Sequence, residues 1–134
     1  MVNQDCVRVL LLYLDRQLSP DPNRNKIKPV SLNAAVSQSP LDGYPVEEIF
    51  NAAQYIVTKE YALVAAKDKR LIPHIHPKKY QFTALTSKGL DLIPVLSDEY
   101  GWLALKTRLG QVFEVSLSQL LAIGAEIGLN SLLR

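Results

Sequence analysis

Positive charge is concentrated between residues 67 and 79, a segment that we call the basic connection. The segment contains five basic side chains and one acidic side chain, Asp68, whereas the whole chain of 134 residues carries a formal charge of only +2. The basic residues are Lys67, Lys69, Arg70, Lys78 and Lys79. Such a segment can follow a phosphate backbone or enter a minor groove, releasing bound counterions. The alternative is a solvated hairpin tip whose lysines keep a sheet edge from pairing.

Two histidines stand in the same segment. His74 and His76 are two residues apart, so on a strand their imidazoles would share one face. Four-coordinate zinc needs further ligands, and the single cysteine, Cys6, is remote in sequence. We therefore predict no metal site and no cofactor. We expect the histidines to contact phosphate, more strongly when they are protonated.

Covalent chemistry has one candidate nucleophile, Cys6. A thiol near the start of a helix can have a lowered pKa, but a nucleophile also needs a base and an oxyanion site. The sequence offers no sign of either, and its acidic residues show no paired spacing. We predict a buried structural thiol, no catalytic residues, and a protein that is not an enzyme.

The composition is that of an ordinary globular domain, with 48% hydrophobic and 21% charged residues. One cysteine excludes an intrachain disulfide. Residues 7–14 are apolar, but Arg8 interrupts them and no cleavage pattern follows. The apolar residues 117–133 are fewer than the ~20 that span a bilayer, and Glu126 lies among them. We expect a cytoplasmic protein with no membrane partner.

Hydrophobic periodicity predicts the elements that position these side chains. Helices are expected over residues 3–18, 32–38, 45–60, 87–96 and 98–108, and from about 117 onward. Ser31 and Thr86 are predicted helix caps, and Pro94 either ends its helix or is followed by one more turn. Residues 27–30 predict an edge strand, residues 61–64 and 79–85 flank the basic connection as strands, and residues 111–115 are β-like.

The third predicted helix carries side chains suited to reading bases. The amides of Asn51 and Gln54 match the edge of adenine, and Tyr55 or Thr58 can contact phosphate or a thymine methyl. The alternative is an ordinary exposed polar face. Glu47 and Glu48 open the same helix and would repel phosphates.

The order of motifs resembles a known architecture. An aromatic-bearing strand runs into Leu-Thr-Ser-Lys-Gly and a helix at residues 80–90, which resembles the winged-helix domains of many bacterial regulators. The longer layout, with SDEYGW at 97–102 and VFEVSL at 112–117, is similar to a family of uncharacterised small proteins of bacteria and their phages. The resemblance implies a winged-helix fold. It implies no chemistry, because that family has no established activity.

The last predicted helix is apolar on more than one face. Its two glycines allow close approach of another helix, so the extra face predicts a two-fold homodimer. The alternative is packing on the first helix of the same chain. The predicted interface residues are Leu120, Leu121, Gly124, Ile127 and Gly128.

Together these patterns predict an α+β fold: a winged helix-turn-helix with a C-terminal helical extension. We expect a single domain over residues 1–134, with a core at about 3–96 and the extension at about 97–134. The predicted function is binding of double-stranded DNA, as a small transcriptional regulator or phage-derived accessory protein. The alternative is a protein–protein interaction module that does not bind nucleic acid.

Overall fold

Helices pack around a small antiparallel sheet in a mixed α+β arrangement. The computed structural model describes residues 2–18, 28–110, 112–114 and 116–132, with side chains described at all of these except 114, 117 and 127–132. The helices are α1 Gln4–Leu18, α2 Leu32–Ala35, α3 Val46–Thr58, α4 Ser87–Leu96, α5 Glu99–Leu109 and α6 Leu117–Leu132. The strands are β1 Val30–Ser31, β2 Ala62–Val64 and β3 Gln81–Leu85.

The sheet places β3 in the centre, with β1 and β2 antiparallel on its two sides. Val30 lies opposite Phe82, and Ala62 lies opposite Leu85. Pro29 precedes β1 at the sheet edge, where a residue without an N–H is tolerated. The three predicted strands are therefore present but shorter than expected: of residues 28–30 only Val30 lies in β1, Tyr61 precedes β2, and residues 79 and 80 precede β3. Ile27 lies outside the described residues.

The core lies between α1 and the elements that cover it, namely α3, α4 and β3. The predicted apolar stripe of α1 is buried, which confirms its helical period. Burial removes these side chains, and the fully buried Phe82 of β3, from water. The stripe consists of Val7, Leu10, Leu11, Leu14 and Leu18.

The junction between α3, β2 and α4 is closely packed. Glu60 turns the chain after α3 with a φ of 62°. Thr86 caps α4 as predicted: its hydroxyl accepts from the Gly89 N–H (3.2 Å) and donates to the Glu60 carbonyl (2.6 Å). Gly89 is buried there, and a Cβ at that position would overlap the carbonyl oxygen of Tyr61. The helix continues through Pro94 to Leu96.

Two sequence expectations need correction. The helix predicted over residues 32–38 ends earlier, at Ala35, and Val36 is its C-terminal cap residue. Residues 112–114 form a 3₁₀ turn rather than a strand. Val112 and Phe113 are neighbours and both buried, whereas a strand with one solvent-exposed face would bury only one of them. Residues 111 and 115 lie outside the described part.

Polar contacts attach α5 to α1. The indole Nε1 of Trp102 donates to Asp5 Oδ1 at 2.7 Å, and Lys106 Nζ lies 3.0 Å from both carboxylate oxygens of Asp5. Arg8 donates through Nε to the Leu96 carbonyl at 2.7 Å, and its guanidinium carbon lies 5.6 Å from the Trp102 ring centroid. The predicted extension is thus attached to α1 by charge-assisted hydrogen bonds as well as by apolar burial.

The Asp5 carboxylate should make the stability of the protein pH-dependent. Burial alone would raise the pKa of Asp5, but hydrogen bonds from Trp102 and Lys106 and the nearby positive charges lower it. When folding lowers the pKa of a carboxyl group, the ionised group stabilises the folded protein at pH values above its unfolded pKa of about 4. This stabilisation is lost as the pH falls through the folded pKa. Asp5→Asn should cost about 1 kcal/mol at pH 7, since the pair is partly exposed. In thermal unfolding the difference from wild type should shrink toward pH 3.

Asp91→Asn is the matched control, because Asp91 is exposed on α4. Its unfolding curve should follow that of the wild type at every pH. An Asp5→Asn difference that stays constant from pH 7 to pH 3 would show that the charge of Asp5 does not contribute.

Candidate nucleic-acid interface

The exposed face of α3 forms a ridge made by Asn51, Gln54 and Thr58, which we call the α3 ridge. These residues follow one another at steps of three and four, so they share one side of the helix. Gln54 and Thr58 line two depressions, of about 900 and about 360 Å³, and Asn51 lines only the smaller one. Three of the four side chains predicted to contact DNA from this helix are thus exposed to solvent.

Tyr55 is placed differently from its neighbours on α3. It is half-buried, and its hydroxyl donates to the Phe113 carbonyl at 2.9 Å. Its ring contacts the Phe113 ring edge-on, with centroids 6.2 Å apart. Tyr55 therefore holds the turn at residues 112–114 against α3, and this structural contact was not foreseen from the sequence.

The two acidic residues that open α3 have separate surroundings. Glu48 is half-buried and accepts a hydrogen bond from Asn3 Nδ2 at 3.0 Å, at the start of α1. Glu47 is exposed and lies four residues before Asn51, on the same side as the α3 ridge. Of the two, Glu47 is the carboxylate that an approaching phosphate would meet.

The basic connection does not project as an extended hairpin tip. It forms two 3₁₀ turns, Lys69–His74 and Pro77–Lys79, and the second packs against both α2 and α3. The His76 ring meets the Phe50 ring of α3 edge-on at 5.6 Å, and His76 Nδ1 accepts from the Lys78 N–H at 3.1 Å. Ile72 and Ile75 are half-buried. Apolar residues among the charges therefore fix the connection against the helices.

The predicted cations of the connection fall into two groups. Arg70 is paired with Asp68, whose Oδ2 accepts from Nε at 3.1 Å and from Nη2 at 2.8 Å. These hydrogen bonds lower the pKa of Asp68 and raise that of Arg70. In the other group the side chains are exposed and have no carboxylate within 4.0 Å among the described residues: Lys67, Lys69, Lys78 and Lys79. His74 is exposed as well.

A groove of about 900 Å³ lies between the α3 ridge and the basic connection. Gln54 and Thr58 form one wall, and Lys69 and Ile72 form part of the opposite side. Leu63 of β2 and Lys88 at the start of α4 also line it. The groove brings residues of α3 and of the basic connection to one concave surface.

Lys88 was not predicted as a site residue. It stands in the Leu-Thr-Ser-Lys-Gly motif, which predicts a helix cap and carries the winged-helix resemblance but indicates no binding role for the lysine. Its ammonium lies 3.7 Å from Glu60 Oε2 and both side chains are largely exposed. It lies in the first turn of α4, close to the end of α3, because Thr86 before it donates to the Glu60 carbonyl. No local sequence pattern indicates that contact.

The thiol of Cys6 is enclosed in the core. Cys6 is 0% exposed, and burial together with the charge of Glu48 raises its pKa to about 11. A thiol with that pKa is protonated at neutral pH. The predicted burial of Cys6 is confirmed. Within the described ranges, no three side chains of His, Cys, Asp or Glu are grouped so that they could hold a metal ion.

The predicted dimer residues lie mostly against the chain's own helices where they are described. Leu120 is 1% exposed within the single chain. A Cβ at Gly124 would lie 3.0 Å from Val95 Cγ1, so this glycine lets α6 approach α4. Leu121 is half-buried. The side chain of Ile127 and the surroundings of Gly128 lie outside the described part of α6. Intrachain packing accounts for Leu120 and Gly124, and the homodimer stays a prediction.

Comparison with known proteins returned no significant match to a family model, a curated protein or a solved structure. The function must therefore be inferred from the residues of this chain. No helix within the described residues has the length and apolar character needed to cross a membrane.

Proposed function

We propose that this chain is a winged-helix protein that binds duplex DNA, and that it works as a binding protein rather than an enzyme. The element order supports this assignment, because α1, β1, α2 and α3 are followed by the β2–β3 pair, and β1 pairs with β3. A helix pair followed by such a pair of strands is the arrangement expected of a winged helix. A small transcriptional regulator or an accessory protein of phage origin is the corresponding role.

The observation that carries the proposal is that Gln54 and Thr58 of the α3 ridge line the same groove as Lys69. A duplex that receives the ridge in its major groove would place a phosphate strand along the groove wall, within reach of Lys69, which lines the groove. The phosphates then supply most of the affinity, and Asn51 and Gln54 supply base contacts. Because the basic connection packs on α2 and α3, it would bind backbone phosphates rather than insert into a minor groove.

Charge along α3 indicates which end of the helix approaches phosphate. Glu47 lies at the first turn, whereas Lys59 caps the last turn and its ammonium lies 5.6 Å from the Tyr55 ring centroid. Phosphates are repelled at the first end and attracted at the second. We therefore place the DNA backbone near Thr58 and the groove rather than near the start of α3.

Salt dependence tests the proposal directly. If four exposed lysines contact phosphates, the logarithm of the affinity for a random-sequence duplex should fall with the logarithm of salt concentration with a slope of about −3 to −4. Fluorescence anisotropy with a labelled duplex between about 50 and 200 mM NaCl measures this slope. A slope near zero, or no binding at the lowest salt, would rule out the proposed role.

The second candidate is a protein-interaction module. Tyr100 is 83% exposed and Leu103 is 57% exposed, one helical turn apart on α5. Exposed aromatic and aliphatic side chains at this spacing are typical anchors for a protein partner. The pairing of Arg70 with Asp68 also reduces the charge available to a polyanion. Failure to bind duplex DNA at low salt would favour this candidate.

A further inference from the structure

The groove has an apolar floor and a positively charged rim. Val57, Leu63 and Ile72 supply apolar surface, and Leu63 is 48% exposed although it lies on a strand. Lys69 and Lys88 supply two ammonium groups, and Glu60 supplies one carboxylate, so the charged lining is net positive. A concave volume of about 900 Å³ is within the range of small-molecule sites, which combine mostly apolar walls with a few polar groups.

The charges on the rim do not cancel. Lys69 has no carboxylate within 4.0 Å among the described residues. Lys88 is 3.7 Å from Glu60, but the two side chains are 55% and 76% exposed, and such a pair contributes little in water. An incoming anion can therefore bind Lys69 directly and compete with Glu60 for Lys88.

We propose that the groove binds an amphiphilic organic anion, namely an alkyl or aryl carboxylate. Its apolar part covers Leu63 and Ile72, and its carboxylate is bound by Lys69 and Lys88. A neutral apolar molecule would make no charged contact with Lys69 or Lys88, and a small inorganic anion would not cover the apolar surface of Leu63 and Ile72. The charge of the rim and the exposed apolar floor thus select one class of ligand.

Occupancy of the groove has a consequence for DNA, and this part rests on the proposed function. Gln54, Thr58 and Lys69 line the groove and also belong to the proposed DNA-binding surface. A carboxylate bound at Lys69 places negative charge where a phosphate would lie. The ligand and the duplex therefore exclude each other, which makes the carboxylate a negative regulator of DNA binding.

The test uses decanoate as the probe and 1-decanol as its uncharged counterpart, with binding to the full chain followed by calorimetry. Decanoate should bind more tightly than 1-decanol. The double variant Lys69→Ala, Lys88→Ala should weaken decanoate binding by about tenfold, because two charged contacts are lost. Glu60→Gln should strengthen it by about two- to threefold, because it removes the competing carboxylate.

Lys78→Ala is the matched control, because Lys78 is an exposed lysine of the same connection that does not line the groove. It should bind decanoate as the wild type does. Thermal unfolding of each variant checks that the exposed substitutions leave the fold intact. Absence of decanoate binding, equal binding of 1-decanol, or equal losses in the Lys78 and Lys69–Lys88 variants would overturn the groove assignment.

A second measurement separates the site from its regulatory consequence. Decanoate added to the wild-type complex with duplex DNA should lower DNA affinity, whereas 1-decanol should not. If decanoate binds and DNA affinity is unchanged, mutual exclusion is wrong and the site stands. If the protein does not bind DNA at all, the proposed function fails, and the calorimetry still decides on the groove.

Discussion

Gly89→Ala should destabilise the protein by about 3 kcal/mol, which corresponds to a fall in melting temperature of about 10 °C. The expected sign is unusual, since alanine in place of glycine within a helix normally stabilises by up to about 1 kcal/mol. Here the new methyl would overlap the Tyr61 carbonyl oxygen and lie 3.1 Å from its carbon. Backbone atoms at a packed junction cannot move aside cheaply, so α4 would have to shift. Thermal or urea unfolding measures the effect.

Gly101→Ala is the control for this prediction. Gly101 also lies within a helix, α5, but a Cβ there would meet only Asp98 side-chain atoms at 3.5 Å, an ordinary contact. It should be neutral or stabilising by up to about 1 kcal/mol. A Gly89→Ala protein as stable as the wild type would mean that α4 does not approach the Tyr61 carbonyl as closely as described.

Replacing the four exposed lysines of the basic connection with alanine should reduce duplex affinity by about a hundred- to a thousandfold at low salt. The variant carries Lys67→Ala, Lys69→Ala, Lys78→Ala and Lys79→Ala. The slope of affinity against salt should decrease by about one for each lysine that contacts a phosphate. Because these side chains are exposed, the melting temperature should stay close to that of the wild type. Anisotropy titrations of the labelled duplex at several salt concentrations measure both quantities.

Two further single substitutions test which charged side chains contact or repel the phosphates. Arg70→Ala should weaken binding less than Lys69→Ala, because Asp68 already pairs with Arg70. Glu47→Gln should strengthen binding, because it removes the exposed carboxylate beside the α3 ridge. Equal losses at Arg70 and Lys69, or unchanged affinity in the four-lysine variant, would contradict the proposed footprint.

Much of the architecture was accessible from the sequence because it is locally encoded. The apolar period of α1 and the hydroxyl before α4 each act within a few residues, so their signals are visible in a short window. Thr86 was predicted as a cap, and its hydroxyl accepts from the N–H three residues later. Ser31 behaves in the same way toward Ala34. Pro29 marked an edge strand because its missing N–H restricts where it can pair.

The candidate site was only partly accessible, because its geometry depends on contacts between distant residues. The charges of the basic connection were visible, but the contact of His76 with Phe50 was not. Ile72 and Ile75 among the charges were the available sign that the segment packs on the helices. The bond from Tyr55 to Phe113 spans 58 residues, and no local pattern encodes such a pairing.

The enclosed thiol of Cys6 makes the chain well suited to site-directed labelling. Cys6 is the single cysteine of the sequence, it has no solvent exposure, and its pKa of about 11 keeps it protonated at neutral pH. Maleimide reagents need an accessible thiolate. A cysteine introduced at Ala66, an exposed residue that lines the groove and has no proposed role in binding, would therefore react selectively without removal of the native one. A fluorophore or photo-crosslinker attached there would identify whatever molecule occupies the groove.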